Sequence, residues 1–194
     1  MLGKITLSLL AVTSLVACGG PSTDEQAASL HKGHDHGPSI QADLAKLREA
    51  TARYHDINAA FADGFELGIN GGVKGCISHA TLGAMGYHYG NQARFNDPTI
   101  NELEPEVLVY HTPNEHVPDA NAPDGGSLRL GAVEWVVPRL AWEAATNSVA
   151  PPMVYGKALT ILNPVLDYYV AHAWIWTPNP ADTISNWNPN VTCP

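Results

Sequence analysis

The sequence predicts an α+β domain, an N-terminal amphipathic helix followed by an antiparallel sheet with long Pro/Asn-rich loops. Apolar residues first recur at helical spacing between Leu44 and Phe65. Later runs alternate with a period of two, and the two patterns never interleave as βαβ units. The 194 residues are 45% hydrophobic and only 15% charged, so the chain can bury a core and is not disordered as a whole. The net charge of −9, with no internal Lys/Arg cluster, argues against nucleic acid and against electrostatic docking on anionic lipid.

The N-terminus reads as an address. Lys4 precedes a short apolar run, and Leu15-Val16-Ala17-Cys18 has the form of a bacterial lipobox. Residues 1–17 are therefore expected to be a lipoprotein signal peptide, cleaved before Cys18, which would carry diacylglycerol and usually an acyl chain such as palmitate. The apolar run is too short for a membrane span, which needs about 20 residues. A plain secretory peptide with a chance cysteine is the alternative. The expected location is the cell envelope, extracytoplasmic and lipid-anchored; Gly19 in place of Asp favours the outer membrane in a Gram-negative host. Residues 18–38 then form a flexible tether containing His31, His34, Asp35 and His36. Three imidazoles this close suit a borderline-soft cation, weakly held, while the plain reading is a hydrophilic linker.

The single α+β domain is assigned to residues 39–194. Ser39 is the expected helix N-cap. Leu44, Leu47, Thr51, Tyr54, Phe61 and Phe65 form one helical stripe, ended by Gly64, with His55 on its flank as a surface histidine. The glycine-rich stretch 68–86 predicts no long element and lacks the Lys-Ser/Thr pair of a phosphate loop. Strands are expected at 85–89, Val107–His111, 128–137 and 166–176, with a short helix or irregular segment at Arg139–Thr146. Residues 155–162 fit either class.

Three polar residues interrupt apolar strand faces. In 128–137, Glu134 shares its face with Leu130, Ala132 and Val136. An unpaired buried carboxylate costs many kcal/mol, so Glu134 must be protonated, paired or metal-bound. His172 interrupts the row Leu166, Tyr168, Val170, Trp174, Trp176, and His88 lies between Gly86 and Gly90, which would leave space above its ring for a ligand or another side chain. His88, Glu134 and His172 together could hold one divalent transition metal, Zn, Cu or Fe. The alternatives are a buried hydrogen-bonded network that fixes register, or unrelated surface positions. His111, Glu115 and His116 form a second, weaker cation candidate.

Cys76 and Cys193 remain as a pair once Cys18 is lipidated, and in an exported compartment a disulfide is expected between them; ligation or redox use lacks a C-x-x-C spacing. Nucleophilic chemistry finds little support. There is no Gly-x-Ser-x-Gly elbow, Ser78 and His79 are merely adjacent, and a Cys76/His79 thiolate pair would be consumed by the bridge. Paired carboxylates for glycoside chemistry could be drawn from Glu102, Glu104 and Glu106, but their setting beside Pro105 reads as a solvated loop entering a strand. Tyr168, Tyr169, Trp174, Trp176 and Trp187 could stack on a flat ligand or sugar, or simply fill a core.

The runs Gly83-Ala84-Met85-Gly86-Tyr87-His88-Tyr89, Pro105-Glu106-Val107-Leu108-Val109-Tyr110, Gly131-Ala132-Val133-Glu134-Trp135 and His172-Ala173-Trp174-Ile175-Trp176 stand out as motifs. So does the ending from Asn179-Pro180 to Trp187-Asn188-Pro189-Asn190-Val191-Thr192-Cys193. Together they resemble a group of uncharacterised bacterial secreted proteins and lipoproteins from about Leu44 to the C-terminus, a resemblance that brings no activity, substrate or cofactor. The functional expectation is a lipid-anchored domain that binds a transition metal or small ligand. A metal-dependent enzyme using the same trio and a non-catalytic envelope scaffold that binds another protein are the alternatives.

Overall fold

Helix α1, Pro38–Thr51, buries Leu44 and Leu47 and leaves most of its other side chains toward solvent. In the computed structural model, which describes residues 38–69, 72–95, 97–112, 128–162 and 166–194, Ser39 lies inside this helix rather than capping it. The long helix expected through residue 63 is broken twice. The Thr51 hydroxyl donates back to the Leu47 carbonyl, 2.8 Å, and the chain tightens into a 3₁₀ turn, Ala52–His55. Asp56 is then extended, and its carboxylate accepts from the Asn58 N–H to cap α2, Ile57–Ala62. The stripe survives these breaks because Thr51, Tyr54, Ile57 and Ala60 remain buried. Phe65 is not helical: Gly64, at φ 85°, turns the chain into β1, Phe65–Leu67.

The main sheet has seven strands in the order β1-β3-β4-β5-β9-β8, with β2 also paired to β3, and every named pairing is antiparallel. These strands are β2 Ile77–His79, β3 Gly83–Asn91, β4 Val107–His111, β5 Arg129–Pro138, β8 Thr160–Ile161 and β9 Tyr168–Ala173. The one-turn helix α3, Gln92–Phe95, follows β3, and α4, Arg139–Thr146, follows β5. The ambiguous stretch 155–162 resolves into extended structure: β6, Met153–Val154, and β7, Lys157–Ala158, form a hairpin through Tyr155 and Gly156, both at positive φ, before β8. Strand β9 stops at Ala173, short of the expected 176, where Trp174 N–H turns away to the Thr183 carbonyl. The result is a mixed α+β structure with a mainly antiparallel sheet.

Alternation divides the sheet into two unlike faces. One carries Tyr87, Tyr89, Tyr110, Val133 and Trp135, and packs with Leu44, Leu47 and Tyr54 in the larger core. Tyr110 Oη donates to the Tyr54 carbonyl at 2.6 Å, satisfying a group at the end of the 3₁₀ turn. The other face carries Val107, Val109, Ala132, Val136 and Val170, covered by Phe95 and Val191. Here the C-terminal segment lies against the sheet, through the bridges Ala173–Ile184 and Ala84–Asn188 and a disulfide between Cys76 and Cys193. Among the described residues no helix is long and apolar enough to cross a membrane. Residues 1–37, with Cys18, His31, His34 and His36, lie outside the described residues.

Candidate metal centre

The valine-rich face brings His88, Glu134 and His172 together. Glu134 and His172 stand directly opposite each other on β5 and β9. His88 starts on β3, two strands from Glu134 and three from His172, backbone separations of about 10 and about 14 Å. The intervening β4 places only Val109 opposite His88 and Val107 opposite Glu134. These short side chains leave room for the imidazole to reach across. All three residues are buried, at 2%, 3% and 0% exposure.

Nε2 of His88 lies 3.2 Å from Nε2 of His172 and 3.5 Å from Oε2 of Glu134, while His172 Nε2 is 3.7 Å from Glu134 Oε1. Metal–ligand bonds of about 2.1 Å separate neighbouring ligands by about 3.0 Å at octahedral and 3.4 Å at tetrahedral angles. The two imidazole nitrogens have that spacing, Glu134 turns a different oxygen toward each of them, and the three residues form a group whose donor atoms lie within 4.8 Å of one another and could hold a metal ion. His172 also has an outer support. Its Nδ1 donates to Asn186 Oδ1 at 3.1 Å, and Asn186 Nδ2 donates to Thr160 Oγ1 at 2.8 Å. A proton on Nδ1 leaves the Nε2 lone pair facing the other two ligands.

Burial decides the charge states. It pushes His88 down to about 3, reinforced by the neighbouring His172, with the Gly86 backbone acting in the opposite direction without a well-formed hydrogen bond to Nδ1. Burial likewise takes His172 to about 4 against the opposing hydrogen bond of Asn186. Glu134 is raised well above the carboxylate range, first by burial and then by the charge of Glu106. Without a cation, burial thus disfavours charge on both imidazoles and on the acid. Yet His88 Nδ1 and Glu134 Oε2 have no hydrogen-bond partner although both are buried. Orphaned polar atoms at the centre of a well-packed face are costly, and a cation would satisfy the carboxylate oxygen.

Of two expectations about this neighbourhood, one takes the second of its two forms and the other is corrected. The space beside His88 goes to another side chain rather than a ligand: a Cβ at Gly90 would meet Phe95 Cε2 at 2.9 Å, and one at Gly86 would strike the Tyr110 carbonyl. Gly86, at φ 100°, serves close backbone approach rather than ligand access. Glu106 is no solvated loop residue but is 3% exposed, its Oε2 accepting from the Val136 N–H at 2.9 Å. Burial raises it to about 7, opposed first by that backbone hydrogen bond. The sequence signal was its place just before the run Val107-Leu108-Val109-Tyr110 of β4; Glu102 and Glu104 are exposed. Asn186 and Thr160 carried no sequence signal.

The remaining candidates do not gather into a site. His111 is satisfied, with Nε2 2.7 Å from Thr177 Oγ1 and Nδ1 3.2 Å from the Thr112 carbonyl. Its proposed companions Glu115 and His116 lie outside the described residues. His79 is exposed against the Trp187 ring, and Cys76 is bonded to Cys193 and so offers no thiolate. Exposed His55 meets the edge of Trp176. Tyr169 and Trp174 are buried while Tyr168, Trp176 and Trp187 are half-buried, so the aromatic residues do not form one open platform. Comparison of the chain with protein-family models, characterised proteins and solved structures finds no match, and the functional reading rests on this geometry.

Proposed function

We propose that the chain is a lipid-anchored, extracytoplasmic domain that binds one divalent transition metal through His88, Glu134 and His172. The observation that carries the reading is the convergence of three buried side chains, with the two imidazole nitrogens 3.2 Å apart and one donor atom from each residue within 4.8 Å of the others. Two imidazoles and a carboxylate suit zinc, copper or ferrous iron. A dication would lower the proton affinity of Glu134 and satisfy its free oxygen.

The test is metal analysis of the mature chain with His31, His34 and His36 replaced by alanine, which separates this centre from the tether. One equivalent is expected to be retained and to be lost in His172→Ala. A protein that takes up none of the three metals would defeat the proposal. The 3.2 Å contact between the two imidazoles favours a second reading, in which they share a proton and only hold the strands in register. In that case His88→Ala lowers stability and leaves metal content at zero in both proteins. Three protein ligands leave coordination positions for water or oxygen, the basis of an enzyme reading. Burial of all three disfavours it for any substrate larger than a few atoms. For the anchor, Cys18→Ser is expected to move the protein from the membrane to the soluble fraction of fractionated cells; persistence at the membrane would refute lipidation at Cys18.

A further inference from the structure

Building on the metal reading, we infer that Asn186 is the positioning residue of this centre, delivered to it by the C-terminal segment. The segment has no helix or long strand of its own, and its place is fixed residue by residue. Trp174 N–H donates to the Thr183 carbonyl at 2.8 Å, and Ser185 N–H donates to the His172 carbonyl at 3.1 Å. Beyond Asn186, Ala84 and Asn188 exchange backbone hydrogen bonds of 3.2 and 3.1 Å. Backbone bonds on both sides therefore hold Asn186 beside His172, and the Thr160 hydroxyl takes its amide N–H. That leaves Asn186 Oδ1 toward His172 Nδ1.

A neutral imidazole carries its proton on one nitrogen only. The Asn186 carbonyl rewards the tautomer with the proton on Nδ1, so Nε2 presents a lone pair where His88 Nε2 and Glu134 converge. Without that carbonyl the proton is free to sit on Nε2 and block the position. His88 has no comparable support, since its Nδ1 lacks a hydrogen-bond partner. Asn186 therefore sets the orientation of one imidazole, and removing such a support costs about 10- to 100-fold in metal affinity.

The experiment titrates Co²⁺, then Zn²⁺ in competition, into the mature chain lacking the tether histidines, with the visible Co²⁺ bands reporting coordination. Asn186→Leu keeps the side-chain volume without an acceptor and is expected to weaken Co²⁺ binding about 10- to 100-fold. It should also move the pH midpoint of binding upward. Asn186→Asp restores an acceptor and is expected to recover the affinity and the bands of the unsubstituted protein. Equal affinity in Asn186→Leu, or an Asn186→Asp protein as weak as Asn186→Leu, overturns the inference while leaving the metal centre standing. No Co²⁺ or Zn²⁺ binding by the unsubstituted protein removes the centre itself. Should Asn186→Leu fail to fold, Thr160→Val decides: it frees the amide without touching the segment's backbone, a several-fold loss is expected, and unchanged affinity overturns the role.

Discussion

Burial disfavours the charged forms of His88, His172, Glu134 and Glu106 in the metal-free fold, and their protons link stability to pH. In the unfolded chain both histidines titrate near 6.5 and both glutamates near 4.5. In the folded, metal-free protein the imidazoles resist protonation down to about 4 and 3, whereas Glu106 keeps its proton to about 7 and Glu134 is raised well above 4.5. Below pH 4.5 the unfolded state therefore holds more protons, and acidification destabilises the fold. Above pH 6.5 the folded state holds more, and stability falls as pH rises, by about 1.4 kcal/mol per pH unit for each retained proton. Between these limits the two effects oppose each other, which places the metal-free optimum at pH 4.5 to 6.5. A bound cation displaces the Glu134 proton and removes most of the decline above neutrality. Thermal midpoints between pH 4 and 9, with and without Zn²⁺, test this. A metal-free midpoint that is level from pH 6 to 8 would contradict the assigned protonation states.

At the scale of elements, the site depends on what stands between its ligands. The period-two pattern placed Glu134 among Leu130, Ala132 and Val136 and His172 between Val170 and Trp174, so two of the three candidate ligands were legible as polar residues on interior faces. That His88 could meet them was not legible, because it required the strand order β3-β4-β5-β9 and two valines on β4. The helix stripe was equally legible as a face, but not its breaks, which come from local side-chain hydrogen bonds of Thr51 and Asp56 competing with the helical ladder. The C-terminal segment was the least legible: it docks by backbone hydrogen bonds that carry no periodicity. Its docking has a sensitive point at Gly83, at φ 89°, where a Cβ would strike the Asn188 carbonyl oxygen. Gly83→Ala is expected to push the segment off β3 and cost about 2 kcal/mol or more, from backbone strain and lost hydrogen bonds. Urea unfolding measures the loss; a change under 0.5 kcal/mol would mean that the segment relaxes without penalty.

Over the whole molecule, the same segment is tied by its penultimate residue to the loop before β2. The Cys76–Cys193 disulfide spans 117 residues, with Cα atoms 5.6 Å apart. Closing a loop of that size removes about 5 kcal/mol of unfolded-state entropy on a chain-entropy argument, comparable with the whole net stability of a modest domain. The loop contains strands β3, β5 and β9, which carry His88, Glu134 and His172, as well as Asn186, so the bridge ties the covering segment to the group it packs against. Replacing both cysteines with serine is accordingly expected to lower unfolding free energy by about 2 to 5 kcal/mol. It should also weaken Zn²⁺ binding at a temperature where the variant is still folded, because a looser segment holds Asn186 less firmly against His172. Denaturant titration and Zn²⁺ competition on the same preparations separate the two effects. Lower stability with unchanged affinity would show that backbone hydrogen bonds alone keep the segment seated, and that the bridge acts only on the unfolded chain.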